Sequence, residues 1–109
     1  MQRGISLFNA AQFFEAHEVL EDVWREAPAA ERKFLQGLIQ VAVAFVHYSR
    51  GNQLGCRSVL QRARRNLSAY PAAHGGLDLS SLRKSVDQWC AAIDHAHPVP
   101  PFPRFDACR

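Results

Sequence analysis

Long hydrophobic runs are missing from this chain. The longest, Val41 to Val46, continues a helical pattern and falls far short of the ~18 apolar residues a membrane span requires. A membrane-embedded role is excluded on that ground. Residues 1–8 hold Arg3 and a few apolar positions without a sustained apolar core or cleavage site. No secretory leader is read there, and a cytoplasmic location is expected. Cysteine is scarce, with three residues, Cys56, Cys90 and Cys108, at no short spacing. An odd, scattered set argues against a disulfide framework and against a zinc cluster built from thiolates. Excess charge is also small, +3 in formal terms. There is no serine in a glycine elbow, no cysteine–histidine pattern, no phosphate-cradling glycine loop and no dinucleotide fingerprint. No catalytic residue can therefore be assigned.

What remains is globular. The chain has 109 residues, 48% of them hydrophobic and 21% charged. One domain over 1–109 is expected, able to bury roughly two-thirds of its extended surface. Four helical patterns follow one another. The first runs from about Asn9 to Arg25, with Asn9 and Gln12 as a weak capping box. The second, from about Ala29 to Arg50, is apolar in nearly every direction and belongs at the centre of the fold. Gly37 lets a neighbour approach it closely, and Gly51 is a natural left-handed stop followed by Asn52 as the next cap. The third runs from about Gln53 to Ala69, where Pro71 ends it. The fourth starts at a cap supplied by Asp78 or Ser80 and ends near Ala96. Connections of a few residues make sequential helices antiparallel neighbours. The predicted fold is all-α, a compact antiparallel bundle of four main helices. An extended proline-rich tail over 98–109 follows, its Phe102 and Phe105 lying on the bundle or on a second subunit. No strand pattern and no repeat is evident.

The first helix carries the anomaly. Successive helical residues advance by about 100°, so Phe13, Ala16, His17, Leu20, Val23 and Trp24 share a face, with Glu21 at its margin. Packing alone would favour Leu or Ala at position 17. His17 and Glu21 lie one turn apart, beside an indole. On the second helix, Gln36, Gln40 and His47 form one polar stripe on an otherwise apolar element. Glu18 and Arg50 lie close by in the pattern.

These residues carry a resemblance. The stretch His17-Glu18-Val19-Leu20-Glu21-Asp22-Val23-Trp24 is a histidine, three residues, a glutamate, two residues and an aromatic. With Phe8-Asn9, Phe34-Leu35-Gln36-Gly37-Leu38-Ile39-Gln40 and His47-Tyr48-Ser49-Arg50-Gly51-Asn52, it resembles the bacterial and archaeal family catalogued as domain of unknown function 309. The resemblance covers about positions 8 to 95. It implies a helical fold and suggests a metal site at His17 and Glu21.

Three readings of the cluster His17, Glu18, Glu21, Trp24, Gln36, Gln40, His47 and Arg50 stay open. It is a polar network in which Glu21 finds His17, the Trp24 indole N–H, Arg50 or a helix amino end. Alternatively it is a metal site, for which imidazole with carboxylate suits zinc, manganese or iron and needs further donors from Glu15, Glu18, His47 or His74. Or it is a site for a small organic ligand or for acid–base chemistry. The working hypothesis is a small ligand-binding domain. The alternative is a scaffold module with a protein partner, in which the cluster is structural. The arginines Arg57, Arg62, Arg64 and Arg65 read as a solvated face. Nucleic-acid binding through them ranks last, because the net charge is small and no nucleic-acid motif appears, and without interleaved aromatics base stacking is not expected. Self-association through the aromatic tail is left open. His74 reads as an exposed loop histidine, Trp24 and Trp89 as core anchors, and His95 and His97 as complements to a helix dipole.

Overall fold

The computed structural model describes residues 1–108. Among the described residues there are five helices and one two-stranded hairpin. The helices are α1 (Gln2–Asn9), α2 (Phe13–Arg25), α3 (Ala29–Ser49), α4 (Gln53–Leu67) and α5 (Leu79–Asp94), and the hairpin pairs β1 (Ala73–His74) with β2 (Leu77–Asp78). The radius of gyration is 12.8 Å, which is compact for a chain of this length.

α3 is the central element, as its apolar circumference requires. Phe34, Leu35, Leu38, Val41, Ala42, Ala44 and Phe45 are all buried. A Cβ placed on Gly37 would stand 2.7 Å from Leu67 Cδ2. The missing side chain is thus what lets α4 press against α3, and any larger residue there forces a repacking. α4 contributes Cys56, Leu60, Ala63 and Leu67 to the core, and α5 contributes Leu82, Val86 and Trp89.

Two expectations about local structure change. Asn9 is not a cap opening a helix but the last residue of an additional helix, α1, and the cap of α2 falls to Gln12, which makes no side-chain capping bond. The chain also contains strand, at Ala73–His74 and Leu77–Asp78. Two residues per strand are too few for an alternating pattern to register. At the starts of α4 and α5 the local chemistry is what the residues announce. Asn52 Oδ1 accepts from the Gly55 amide at 2.9 Å, and Asp78 Oδ1 accepts from the Ser81 amide at 3.0 Å.

Three helices end in the same way. In each, the amide two residues past the cap reaches the carbonyl of the third residue from the end. These bonds run from Gln12 to Leu7, from Asn52 to His47 and from His97 to Ala92, all at 2.9 Å. The residue between takes positive φ: Ala11 (61°), Gly51 (77°) and Ala96 (52°). This is the Schellman arrangement. Glycine signals it at position 51, whereas alanine at 11 and 96 gives no signal and carries a steric penalty of about 1 kcal/mol.

Past α5 the chain is extended. Phe105 stacks on Phe8 with centroids 3.8 Å apart, and Phe102 stacks on Trp89 at 5.6 Å. The Trp89 indole N–H donates to the Pro101 carbonyl at 2.9 Å. Ala107 bridges to Leu77 beside the hairpin.

Candidate functional site

α2 and α3 together wall a groove of about 290 Å³, lined by Glu21, Trp24, Arg25, Gln36, Ile39 and Gln40. Helical spacing explains the set. Glu21, Trp24 and Arg25 sit three and four apart on α2, and Gln36, Ile39 and Gln40 repeat the same intervals on α3. Four of the eight residues in the cluster read from sequence therefore meet here: Glu21, Trp24, Gln36 and Gln40. Arg25 and Ile39 join them unannounced. A terminal arginine on an exposed helix face and one more isoleucine on a wholly apolar helix carry no distinguishing signal.

The polar groups in the groove do not close on one another. Glu21 Oε2 lies 4.0 Å from Arg25 Nη2, while Arg25 makes its short contact, 2.7 Å, with Asp22. Gln40 Oε1 accepts from Asn66 Nδ2 at 2.7 Å, so α4 fixes the orientation of that amide. The Trp24 indole nitrogen is buried and has no hydrogen-bond partner. It is the one such side-chain atom among the described residues. Arg32 lies over the Trp24 ring, 5.1 Å from its centroid, a cation–π contact. A buried N–H without an acceptor costs about 1–3 kcal/mol. The bond from the indole to Glu21, one of the partners the sequence offers, is not made, and a donor is left over.

The other four residues lie elsewhere. His17 is half-buried. Its Nδ1 donates to the Phe14 carbonyl at 2.6 Å, and its Nε2 lies 3.8 Å from Glu21 Oε1. Its polar counterparts are thus on its own helix. Glu18 is exposed. His47 Nδ1 faces Asn52 Nδ2 at 3.4 Å, at the end of α3. Arg50 is exposed and borders a separate hollow with Phe14 and Phe102, so it does not reach Glu21.

The metal reading can be weighed on donor chemistry. With Nδ1 committed to a carbonyl, His17 Nε2 is the nitrogen that could coordinate. A catalytic zinc site uses three side chains and a structural one four. Among the described residues no group of three or more His, Cys, Asp or Glu is assembled in this way. His17 and Glu21 alone fall short, and Glu15, Glu18, His47 and His74 do not complete the set.

His74 is not an exposed loop residue. Its Nε2 lies 2.8 Å from Glu31 Oε2, and its ring packs on Phe34 and Tyr70. The Tyr70 hydroxyl accepts from the Phe34 amide at 3.0 Å and donates to the Ala30 carbonyl at 2.9 Å, joining the loop to the start of α3. The arginine face also differs from a freely solvated one. Arg57 makes two bonds to Asp94, at 2.6 and 2.9 Å, and Arg64 reaches Asp87 at 3.0 Å, so both staple α4 to α5. Arg62 and Arg65 remain exposed. Halving the unpaired charge removes much of what an anionic polymer would use. Cys56 and Cys90 are held as thiols by burial, Cys56 with a pKa pushed up to about 12.

Comparison with known proteins shows the family. The model of the family described as Domain of unknown function (DUF309) matches residues 1–59, more than half of the chain. The chain belongs to the DUF309 family. The matched stretch starts earlier and ends sooner than the positions that carry the resemblance in sequence, and it includes all six residues lining the groove. The chain is 41% identical over 72 residues to the uncharacterized protein YpuF of Bacillus subtilis (strain 168), covering 65% of this chain and 41% of that protein. It is 29% identical over 82 residues to an uncharacterized protein of Aquifex aeolicus (strain VF5), covering 74% of this chain and 25% of that one. The chain thus spans well under half the length of these relatives. Their names assign no activity, so the biochemical function of the DUF309 chain is unknown. No helix among its described residues is long and apolar enough to cross a membrane.

Proposed function

We propose that the groove between α2 and α3 binds a small polar molecule that presents a hydrogen-bond acceptor to the Trp24 indole. The observation that carries this reading is the buried indole nitrogen without a partner in the wall of the groove. Folding alone gains nothing from leaving that donor unsatisfied, and phenylalanine would fill the position without the penalty. About 290 Å³ lies at the lower end of the range for small-molecule sites. Glu21 and Arg25 supply one charge of each sign at the rim, and Gln36 and Gln40 supply amides. Because the indole nitrogen is closed off, a ligand reaches it when a flexible neighbour such as Arg32 swings aside. On this reading residues 1–109 act as one cytoplasmic domain. Its four longer helices form an antiparallel bundle that holds the groove rigid, with the tail from 98 appended.

The test uses the two tryptophans as reporters, since each indole N–H gives its own ¹⁵N NMR signal. Small carboxylates, amino acids and amides are titrated into the labelled protein. A binder is expected to move the Trp24 signal while that of Trp89, already bonded to Pro101, stays in place. Gln40→Ala should weaken the same binder about tenfold, the loss of one hydrogen bond of ordinary strength. Binders that leave Trp24 unmoved, or no binder at all across these classes, would overturn the reading.

A further inference from the structure

The C-terminal segment is bound to the rest of the molecule as a ligand would be. Its anchors fall in residues 101–108 and reach α5, α1 and the hairpin. The Trp89 indole donates to the Pro101 carbonyl, and Phe102 lies flat on the same ring. Phe105 lies flat on Phe8. The Asn9 side chain meets both backbone groups of Phe105, accepting from its amide at 2.8 Å and donating to its carbonyl at 3.2 Å. This is how an aromatic groove with an indole donor holds an extended proline-rich strand.

The connection between α5 and these anchors is different in kind. Residues 95–99 are all exposed. Within them Ala96 occupies the left-handed region at φ 52°, where an L residue with a Cβ is strained. Pro98 and Pro100 stiffen the link towards an extended form. A strained, short, proline-bearing hinge next to a separable bound segment is the arrangement that favours exchange between copies.

We propose that the groove of one chain accepts the 101–108 segment of a second copy, giving a dimer with exchanged tails. Every contact of the segment is preserved in the exchange, because the groove and its occupant are the same in both forms. Only the hinge and the entropy of association differ. Opening the hinge releases Ala96 from positive φ, which favours the dimer. The segment has high effective concentration at its own groove, so the monomer prevails in dilute solution and the dimer at high concentration.

Light scattering on the full chain tests this. Protein refolded from denaturant at millimolar concentration is expected to contain a dimer that is absent after refolding at micromolar concentration. Deleting Pro98 and Val99 shortens the hinge and strains the closed form, in which the segment must fold back onto Trp89. The dimer share should then rise at least tenfold. Ala96→Gly relieves the strain in the closed form and should lower the dimer share of the full-length chain about fivefold. Should the shortened chain fail to fold, the comparison of wild type with Ala96→Gly still decides. A monomer after refolding at millimolar concentration overturns the proposal. So does a dimer whose share is unchanged by Ala96→Gly, or one that survives Phe105→Ala, since such a dimer uses another surface.

Discussion

Asn9 and Phe105 lie 96 positions apart and are joined by two hydrogen bonds. The carboxamide of Asn9 satisfies both the amide and the carbonyl of Phe105, as a neighbouring strand would. This pair fixes the tail at the end of α1, directly beside the Phe8–Phe105 stack. Asn9→Ala leaves a part-buried amide and carbonyl without partners and is expected to cost about 1–3 kcal/mol. Denaturant melts measure the loss, and amide exchange should show the Phe105 N–H losing protection before those of α3.

Arg57 and Asp94 make a two-pronged pair between α4 and α5. The hydrogen bonds from Arg57 hold the Asp94 carboxyl below the usual carboxylate range. A carboxyl depressed on folding stabilises fully above its unfolded value, about 3.9, and loses that contribution as pH falls through the lower folded value. The melting-temperature gap between wild type and Asp94→Asn should therefore hold steady near neutrality and close only in acid. A gap that closes near neutrality would assign the effect to another group.

Ala11 and Ala96 adopt positive φ where glycine is free of strain. Ala11→Gly should stabilise by up to about 1 kcal/mol, the relief of the left-handed penalty less the added freedom of the unfolded chain. Gly51→Ala should do the reverse by a similar amount. Equal melts for all three proteins would mean that these turns carry no strain.

Cys56 is buried, with its thiol held up to about 12 by that burial. Cys108 is exposed. Because the thiolate is the reactive species, a thiol reagent at mildly alkaline pH should modify Cys56 only after unfolding. Fast labelling of Cys56 in the native state would contradict the burial.

The helices were legible because α2, α4 and α5 each write an apolar stripe in a 3.6-residue period and α3 is apolar almost all round, while Asn52 and Asp78 mark boundaries with side-chain chemistry and Gly51 with its left-handed turn. α1 was not. Asn9 reads locally as a cap, and only the distant Phe105 shows what its carboxamide does. The turns at Ala11 and Ala96 were illegible because the Schellman bonds are made by backbone, and alanine conceals the conformation that glycine announces. In the groove, Glu21, Trp24, Gln36 and Gln40 stood out as polar or amphipathic groups on apolar stripes. His17 stood out for the same reason, yet its partners are the Phe14 carbonyl and Glu21 on its own helix. A polar residue on an apolar stripe shows that a partner is needed, not where the partner lies. The pairing of Arg57 with Asp94 and of Arg64 with Asp87 depends on how α4 meets α5, which no local spacing encodes.

The most direct measurement is the thermal melt of Trp24→Phe beside wild type. An indole N–H kept buried without an acceptor weakens the free fold, and phenylalanine keeps most of the ring and its contact with Arg32. The account predicts that Trp24→Phe melts at or above the wild-type temperature. A fall of more than about 4 °C, equivalent to about 1 kcal/mol in a chain of this size, would mean that the indole gives the fold more than its unpaired nitrogen costs, and would remove the reason to expect a ligand there.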